Sequence, residues 1–207
     1  SSAAVTTFAG TAGSTGTTDA TGAAARFNQP WGSVFPVSTT PLFLCDRNNH
    51  RIRAVTTPGA AVTTWAGTSQ GFADGTGTTG VTSSFPVDAA HDAPHAARFI
   101  VDNYNFRIRK ATVPGAVVTS PLGSGTRAVL DGVGTSARFH YVESIAIDSS
   151  STVLFAGEIT ANTVRRIVIA SLTVTTIIGS GTGGMTSSSD PLTAQVASPI
   201  SETHTLT

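Results

Sequence analysis

The residues best suited to do chemistry in this chain are carboxylates that are followed, a few positions later, by arginines. Each of three such groups has one acidic residue at the end of an apolar run and two basic ones after it. The groups are Asp46 with Arg51 and Arg53, Asp102 with Arg107 and Arg109, and Glu158 with Arg165 and Arg166. These side chains form either an anion-binding ring or a set of structural ion pairs, because a buried arginine has to be paired.

Repetition favours the structural interpretation, since every copy of a folding unit needs the same internal support. We therefore predict that these pairs lock successive units of the fold together. The predicted locks are Asp46, Arg51, Arg53, Asp102, Arg107, Arg109, Glu158 and Arg166.

The histidines and the cysteine do not form a pattern that predicts catalysis. The histidines are His50, His91, His95, His140 and His204, and they occupy inequivalent positions. The two in "HDAPH" are four residues apart, but on a proline-containing loop rather than a helix, so they lack metalloprotease geometry. Cys45 occupies a small apolar position, which indicates a packed thiol. We expect no catalytic residue, metal or cofactor.

Aspartates that precede glycines form a second recurring feature. Asp74 and Asp131 begin Asp-Gly sequences, and Asp19 lies at the matching place. Each turn offers one carboxylate, whereas calcium needs six or more oxygen ligands. We predict turns in which each aspartate caps its own backbone.

The composition narrows the possible partners. The 207 residues include 12 basic and 12 acidic side chains, and Lys110 is the sole lysine. No basic cluster is present, which argues against nucleic acid as a partner, and no apolar stretch is long enough for membrane insertion. Loops rich in serine and threonine suit O-linked glycans on a secreted protein, and a neutral polar rim explains them equally well. We expect an extracellular or cell-surface location.

The elements that position these residues are short strands. β-Branched runs are bounded by Gly, Pro, Asn and Asp, and no helical period is sustained, so the sequence predicts an all-β fold. The pattern "VTT" or "VTS" recurs at Val5, Val62, Val118 and Val174, at spacings of 57, 56 and 56 residues.

Two further landmarks follow the same period. Asp46, Asp102 and Glu158 are 56 residues apart, and a looser landmark places Phe27, Phe85, Phe139 and Val196 in register. Aligning Arg166 with Arg109 requires one inserted residue in the third copy, which we expect as a bulge or longer turn. A period of this length built from short strands predicts four-stranded propeller blades.

At the level of motifs, the chain resembles NHL repeats of the long-loop kind, "VTTxAG…DGxG…ARFxxP…NxRIR". The resemblance implies a β-propeller, and most members of that family are binding platforms. It favours a non-enzymatic extracellular structural or interaction module that binds protein or glycan partners. The alternative is a secreted propeller enzyme resembling the peptidyl-hydroxyglycine amidating lyases.

The number of blades leads to an expectation about assembly. Residues 1–207 supply about three full blades plus closing strands, as a single segment with units starting near 5, 62, 118 and 174. Propellers usually need 4–8 blades. We therefore expect a part of a larger protein or assembly, whose partners are other copies or the rest of its own chain. Strand addition is expected at two edges, Val5 to Phe8 and Ile200 to Leu206.

Overall fold

A computed structural model of the chain describes residues 3–36 and 41–180. Within these ranges the regular structure is β-strand, with four 3₁₀ turns of three residues each and no α-helix. No helix there has the length and apolar character needed to cross a membrane. The all-β prediction is confirmed. The expected edge from Ile200 to Leu206, together with Val196 and His204, lies outside the described residues.

Fifteen strands form three antiparallel sheets of five strands each. The first sheet contains β1 (Ala20–Thr21), β2 (Pro30–Val34), β3 (Leu42–Asp46), β4 (Arg51–Val55) and β5 (Ala61–Ala66). The second contains β6 (Gly75–Thr76), β7 (Pro86–Asp92), β8 (Ala97–Asp102), β9 (Arg107–Thr112) and β10 (Val117–Leu122). The third contains β11 (Gly132–Val133), β12 (Val142–Ile147), β13 (Val153–Glu158), β14 (Thr163–Val168) and β15 (Thr173–Ile178).

Each sheet is a propeller blade with one strand more than expected. In the first, the order is β1-β5-β4-β3-β2, and the other two repeat it. Four strands form the predicted meander from the inner strand β2 to the outer strand β5. The fifth, β1, is a two-residue strand from the preceding loop that pairs with β5 through Ala20 and Val62. The long loop therefore covers the outer edge of the blade that follows it, which protects that edge from further pairing.

The repeat of 56 residues holds through the third blade. Asp46 pairs across its hairpin with Arg51, and Glu158 pairs in the same register with Thr163. Both turns contain four residues and end in a left-handed residue, His50 in the first blade and Asn162 in the third. The expected inserted residue in the third copy is therefore wrong.

Apolar side chains from neighbouring blades form the core. One cluster between the second and third blades includes Phe99, Leu122, Phe139 and Leu154, all buried. A second cluster joins the first and second blades, and includes Phe43 and the predicted packed thiol Cys45, whose pKa burial raises. The blades are thus held face to face, and the turns on each side remain accessible.

Candidate functional site

A buried arginine with two carboxylates lies in every blade. In the first blade, Arg53 Nη1 lies 2.7 Å from Asp46 Oδ2, and its Nη2 lies 2.6 Å from Asp19 Oδ1. The Arg53 and Asp46 side chains are fully buried. The same guanidinium also donates to the backbone oxygens of Arg26 and Thr18. The Arg53 guanidinium thus links the loop that contains Asp19 to β3 and β4.

The other two blades repeat this arrangement, which we call the arginine triad. In the second blade, Arg109 contacts Asp102 at 3.1 Å and Asp74 at 2.8 Å. In the third, Arg165 contacts Glu158 at 3.3 Å and Asp131 at 2.8 Å. An aromatic ring lies over each guanidinium: Phe27 over Arg53, Phe72 over Arg109 and Phe139 over Arg165.

Three of the expected locks have different roles from those predicted. Arg165, rather than Arg166, forms the triad of the third blade, because side chains alternate between the faces of β14 and a shift of one residue reverses the face. Arg51 and Arg107 face loop carbonyls instead of the carboxylates. Arg51 donates to Thr68 O, and Arg107 donates to Gly123 O and Ser124 O. They fasten the hairpin to the loop that leaves the outer strand.

We expected the aspartates of the Asp-Gly turns to cap their own backbone. They complete the triads instead. Asp19 also accepts hydrogen bonds from Thr64 N and Thr64 Oγ1 on the outer strand. Partial burial raises the pKa of Asp19, but the hydrogen bonds from Thr64 and Arg53 outweigh it, so this pKa lies below its ordinary value. Asp131 has the same pattern with Thr176 and Arg165. These carboxylates therefore join each long loop to its blade.

The alignment of the phenylalanine landmark also changes in the second blade. Asp46 accepts from Asn28 N and Asp102 accepts from Ser84 N, so Ser83, not Phe85, is equivalent to Phe27. Phe85 lies two residues further along, with a φ of 54°. Its ring is therefore free to join a different cluster.

That cluster is a set of neighbouring rings. It lies on the side of the molecule where a turn connects the second strand of each blade to the third. We call it the aromatic stripe: Trp31, His50, Phe85, Tyr104, Phe106, His140 and Tyr141. Ring centroids are 4.6 Å apart for His50 and Phe85, 4.7 Å for Phe85 and Tyr104, and 5.3 Å for Tyr104 and Tyr141. Phe106 and His140 contact Tyr141 at 5.4 and 5.1 Å. The stripe joins all three blades.

Two arginines extend the stripe. The Arg47 guanidinium lies 5.3 Å from the Trp31 ring and 5.1 Å from the Phe85 ring, and it links the first blade to the second. At the other end, the Arg127 guanidinium lies 5.6 Å from the Tyr141 ring. In the described part of the chain neither arginine forms a salt bridge with a carboxylate. This distinguishes them from the triad arginines.

The stripe breaks the sequence repeat. Trp31 corresponds to Val87 and Glu143 in the other blades. Glu143 accepts a hydrogen bond from Asn103 Nδ2 at 3.0 Å. Burial raises the pKa of Glu143, against the opposing effects of Asn103 and the Arg47 charge. Trp31 is 55% exposed and Tyr104 is 46% exposed. Phe85 and Tyr141 occupy one repeat position and His50 and Phe106 another, but the remaining copy has no ring at either position, Gln29 in the first blade and Asn162 in the third. The surface is therefore not visible as a repeated motif.

The unrepeated "HDAPH" segment begins with His91 and Asp92, the last residues of β7, and continues into the turn that leads to β8. His91 therefore lies on a strand and not on the loop that we expected. There His95 Nδ1 lies 2.8 Å from Asp92 Oδ1. Arg98, across the strand pair from His91, lies over the Phe43 ring at 3.6 Å. Among residues 3–36 and 41–180, no three His, Cys, Asp or Glu side chains are grouped as metal ligands.

A further unrepeated carboxyl lies on the inner strand of the second blade. Asp88 is buried, and it accepts hydrogen bonds from Ala89 N and from Ile145 N on β12, each at 2.9 Å. Burial raises the pKa of Asp88 to about 6, although both hydrogen bonds favour the charged form. This side chain bridges the second and third blades.

Comparison with known proteins identifies the architecture. No family model matches the chain, and no curated protein matches it. Among solved structures, an auxiliary nutrient binding protein from Bacteroides ovatus has a TM-score of 0.59 at 14% identity, over 75% of this chain and 37% of that one. One from Bacteroides thetaiotaomicron has a TM-score of 0.57 at 16% identity, over 74% and 37%. The nidogen/laminin complex gives 0.54 at 13% identity, over 72% and 48%.

These structures are propeller-like, and the chain shares their fold. It spans less than half of the length of each. The described residues therefore form three blades of β-propeller architecture.

The adjacent arginines of β14 provide a direct test of the triad. We expect Arg165→Gln to lower the free energy of unfolding by about 3–5 kcal/mol, because it leaves Glu158 buried without its cation. Arg166→Gln is the matched control and should change stability by less than about 0.5 kcal/mol. Urea unfolding at pH 7 measures both. Equal costs for the two variants would show that the triad does not support the blade.

The raised pKa of Asp88 predicts that the stability of the fold depends on pH. Its folded pKa of about 6 exceeds the ordinary value of 3.8, so the folded state holds the proton more tightly between these pH values. Its contribution to stability is therefore lost as the pH rises through this window. The free energy of unfolding of Asp88→Asn, measured relative to the parent, should therefore rise by about 2–3 kcal/mol from pH 4 to pH 7.

Asp148→Asn is the control with the opposite sign. The Ser150 hydrogen bond and those from Val153 and Thr152 lower the pKa of Asp148. The contribution of the Asp148 carboxylate to stability is present above its ordinary pKa of 3.8 and is lost as the pH falls below that value. Relative to the parent, Asp148→Asn should therefore lose stability as the pH rises towards 4, and the difference should change little from pH 4 to pH 7. Urea titrations at several pH values measure both differences. A pH-independent difference for Asp88→Asn would contradict the assignment.

Proposed function

We propose that this chain is a non-enzymatic, NHL-type propeller module that acts outside the cell and binds a partner through the aromatic stripe. The observation that carries the proposal is the break in the repeat. Features that recur in every blade, such as the arginine triads, serve the fold. A surface that collects different residues from three blades is free to serve a ligand.

The composition of the stripe favours a protein partner. Trp, Tyr and Arg are the residues that most often dominate the binding energy of protein interfaces. Trp31 and Tyr104 expose large, rigid surfaces that lose little conformational entropy on binding. Arg47 is already oriented between two rings, which lowers the entropic cost of a new hydrogen bond.

The charge of the stripe indicates which part of a partner would bind. Neither Arg47 nor Arg127 forms a salt bridge with a described residue. Burial raises the pKa of the neighbouring Glu143, and the charge of Arg47 opposes that rise. A partner that presents carboxylates could form direct ion pairs with both arginines. Binding should therefore weaken as the salt concentration rises.

A glycan is the second candidate ligand. The exposed rings of Trp31 and Tyr104 offer apolar faces next to amide groups, including Asn48, which is within 3.2 Å of Arg47 Nη1. Two of the structural neighbours are named as nutrient binding proteins. In an acidic sugar, the acidic groups would form ion pairs with Arg47 and Arg127.

The non-enzymatic part of the proposal rests on the kind of residues that break the repeat. A lyase-like propeller enzyme would need unrepeated acid, base or metal-binding groups close together at one site. The stripe is mainly aromatic and cationic, and its two histidines contact ring neighbours, Phe85 for His50 and Tyr141 for His140.

Binding screens with matched variants test the proposal. The purified chain is screened against a panel of purified secreted ectodomains and an array of neutral and acidic oligosaccharides. For ligands that bind, Trp31→Ala and Tyr104→Ala should each raise Kd at least about tenfold, which is 1.4 kcal/mol. Phe35→Ala is the control, because Phe35 is a 49% exposed ring outside both the stripe and the triads.

Four outcomes separate the alternatives. Loss of binding in the stripe variants with a protein ligand supports the first candidate, and the same loss with an oligosaccharide supports the second. If no ligand binds, or if every ligand binds the stripe variants as tightly as the parent, the proposal fails. Chemical conversion of a bound ligand would overturn the non-enzymatic assignment.

A further inference from the structure

An arginine replaces a leucine on the second strand of the second blade. Four residues before the triad carboxylate, the first and third blades have Leu42 and Leu154, whereas the second blade has Arg98. Leu154 is fully buried in the core between the second and third blades. Arg98 is only 2% exposed, so a charged side chain is buried at a position that is otherwise apolar. A buried charge destabilises a fold unless a partner compensates it.

The residue beside Arg98 breaks the repeat as well. His91 pairs with Arg98 across β7 and β8, as Ile147 pairs with Leu154 in the third blade. The residue of the first blade at the position of His91 is Phe35. Two neighbouring apolar positions are therefore both occupied by nitrogen-containing side chains in the second blade. We call these two residues the Arg98–His91 pair.

Both members of the pair have polar atoms without a partner. Nε and Nη1 of Arg98 and Nδ1 of His91 are buried without a hydrogen-bond partner in the described part of the chain. Arg98 also forms no salt bridge with any described carboxylate. The triad arginines differ, because the Nη atoms of each contact two carboxylates. The Arg98–His91 pair thus has unused hydrogen-bonding capacity.

Aromatic rings of the first blade fix the position of the Arg98 guanidinium. Its Cζ lies 3.6 Å from the centroid of the Phe43 ring and 5.4 Å from that of the Trp65 ring. Such rings attract the positive charge through their faces, but they do not accept the in-plane hydrogen bonds of a guanidinium. Burial lowers the pKa of Arg98 to about 10, so the side chain is still charged at pH 7. The site is therefore a fixed cation with free donors.

The pair lies near the surface, where β7 turns into β8. His91 is partly exposed, and residues 93–96 of the turn are exposed. Burial lowers the pKa of His91, and the charge of Arg98 adds to this effect, which indicates that the two side chains are close together. Asp92 does not neutralise Arg98, because it lies on the other face of β7 and contacts His95. Solvent therefore reaches the pair at His91.

We propose that the Arg98–His91 pair binds an oxyanion group of a ligand, a carboxylate or a phosphate. The oxygen atoms of this group accept hydrogen bonds from the free donors of Arg98, since arginine is the side chain best suited to such anions. An anion also favours the form of His91 in which Nδ1 carries a proton and donates. The bound charge then compensates the buried cation.

This site is separate from the aromatic stripe. The turn of residues 93–96 lies at the opposite end of β8 from the turn that carries Tyr104. Antiparallel strands place these two turns on opposite sides of the blade. The inference is therefore independent of ligand binding at the stripe.

Replacing Arg98 by leucine separates anion binding from a purely structural role. Leucine occupies the equivalent position in the first and third blades, so the variant has a residue that the fold accepts. In buffer without acetate or phosphate, Arg98→Leu should unfold at the same Tm as the parent or higher, because an uncompensated buried charge is removed. A lower Tm would show that the guanidinium stabilises the contact between blades, and would overturn the proposal.

Titrations of the full chain with sodium acetate and with inorganic phosphate measure binding directly. Sodium chloride keeps the ionic strength constant, and the NMR signal of the Arg98 Nε–H group is followed. It should shift saturably with a Kd of about 10 mM or lower for at least one of the two anions. Saturation with acetate assigns a carboxylate ligand, and saturation with phosphate assigns a phosphate.

Two further variants show whether binding is local. His91→Ile introduces the residue of the third blade and should raise Kd about tenfold, because one donor to a charged group is lost. Arg166→Gln, which removes a positive charge outside the site, should leave Kd unchanged. If neither anion shifts the Arg98 signal saturably, or if the two variants change Kd equally, the pair is not an oxyanion site.

Discussion

The buried guanidinium of each blade is the group on which the rest of the structure depends. An arginine removed from water is costly unless its charge and its donors are satisfied. Arg53 Nε is buried without a hydrogen-bond partner among the described residues. The four hydrogen bonds of the Arg53 Nη atoms form only when the long loop, the end of β3 and β4 itself are all in place, because Asp19, Asp46 and two backbone oxygens come from different segments. The cation therefore makes the formation of the blade cooperative, and the same requirement recurs in the second and third blades.

Because the repeated residues stabilise the blades, the exposed surface can differ from one blade to the next. The triads fix the turns in space, helped by Asn49 and Asn105, which donate to Asp46 and Asp102. Other positions on the turns can therefore differ between blades. Tyr104 and Asn48 occupy equivalent positions on such turns, and only Tyr104 adds a ring to the stripe.

The sequence could predict the all-β blades because their period is visible in every copy. The pairing of Asp46 with Arg53 was within reach of sequence analysis, since both residues belong to one hairpin. The third triad was misassigned because two adjacent arginines fit the pattern and only the strand register distinguishes their faces. The second carboxylate was missed because it lies 34 or 35 residues before its arginine, across the long loop. The aromatic stripe was not predicted. Two of its repeat positions carry rings in two blades, Phe85 with Tyr141 and His50 with Phe106, but contact between rings of different blades depends on how the blades pack.

The central claim is that the buried arginine and its carboxylate act as one unit. A double-mutant cycle on Arg109 and Asp102 in the second blade measures this directly, through the unfolding free energies of the parent, the two single variants to Met and Asn, and the double variant. We expect a coupling energy of about 2 kcal/mol or more, because Arg109→Met leaves Asp102 buried without its cation and Asp102→Asn leaves Arg109 with Asp74 alone. Additive costs, with a coupling energy near zero, would show that the two groups are stabilised separately and would contradict the account.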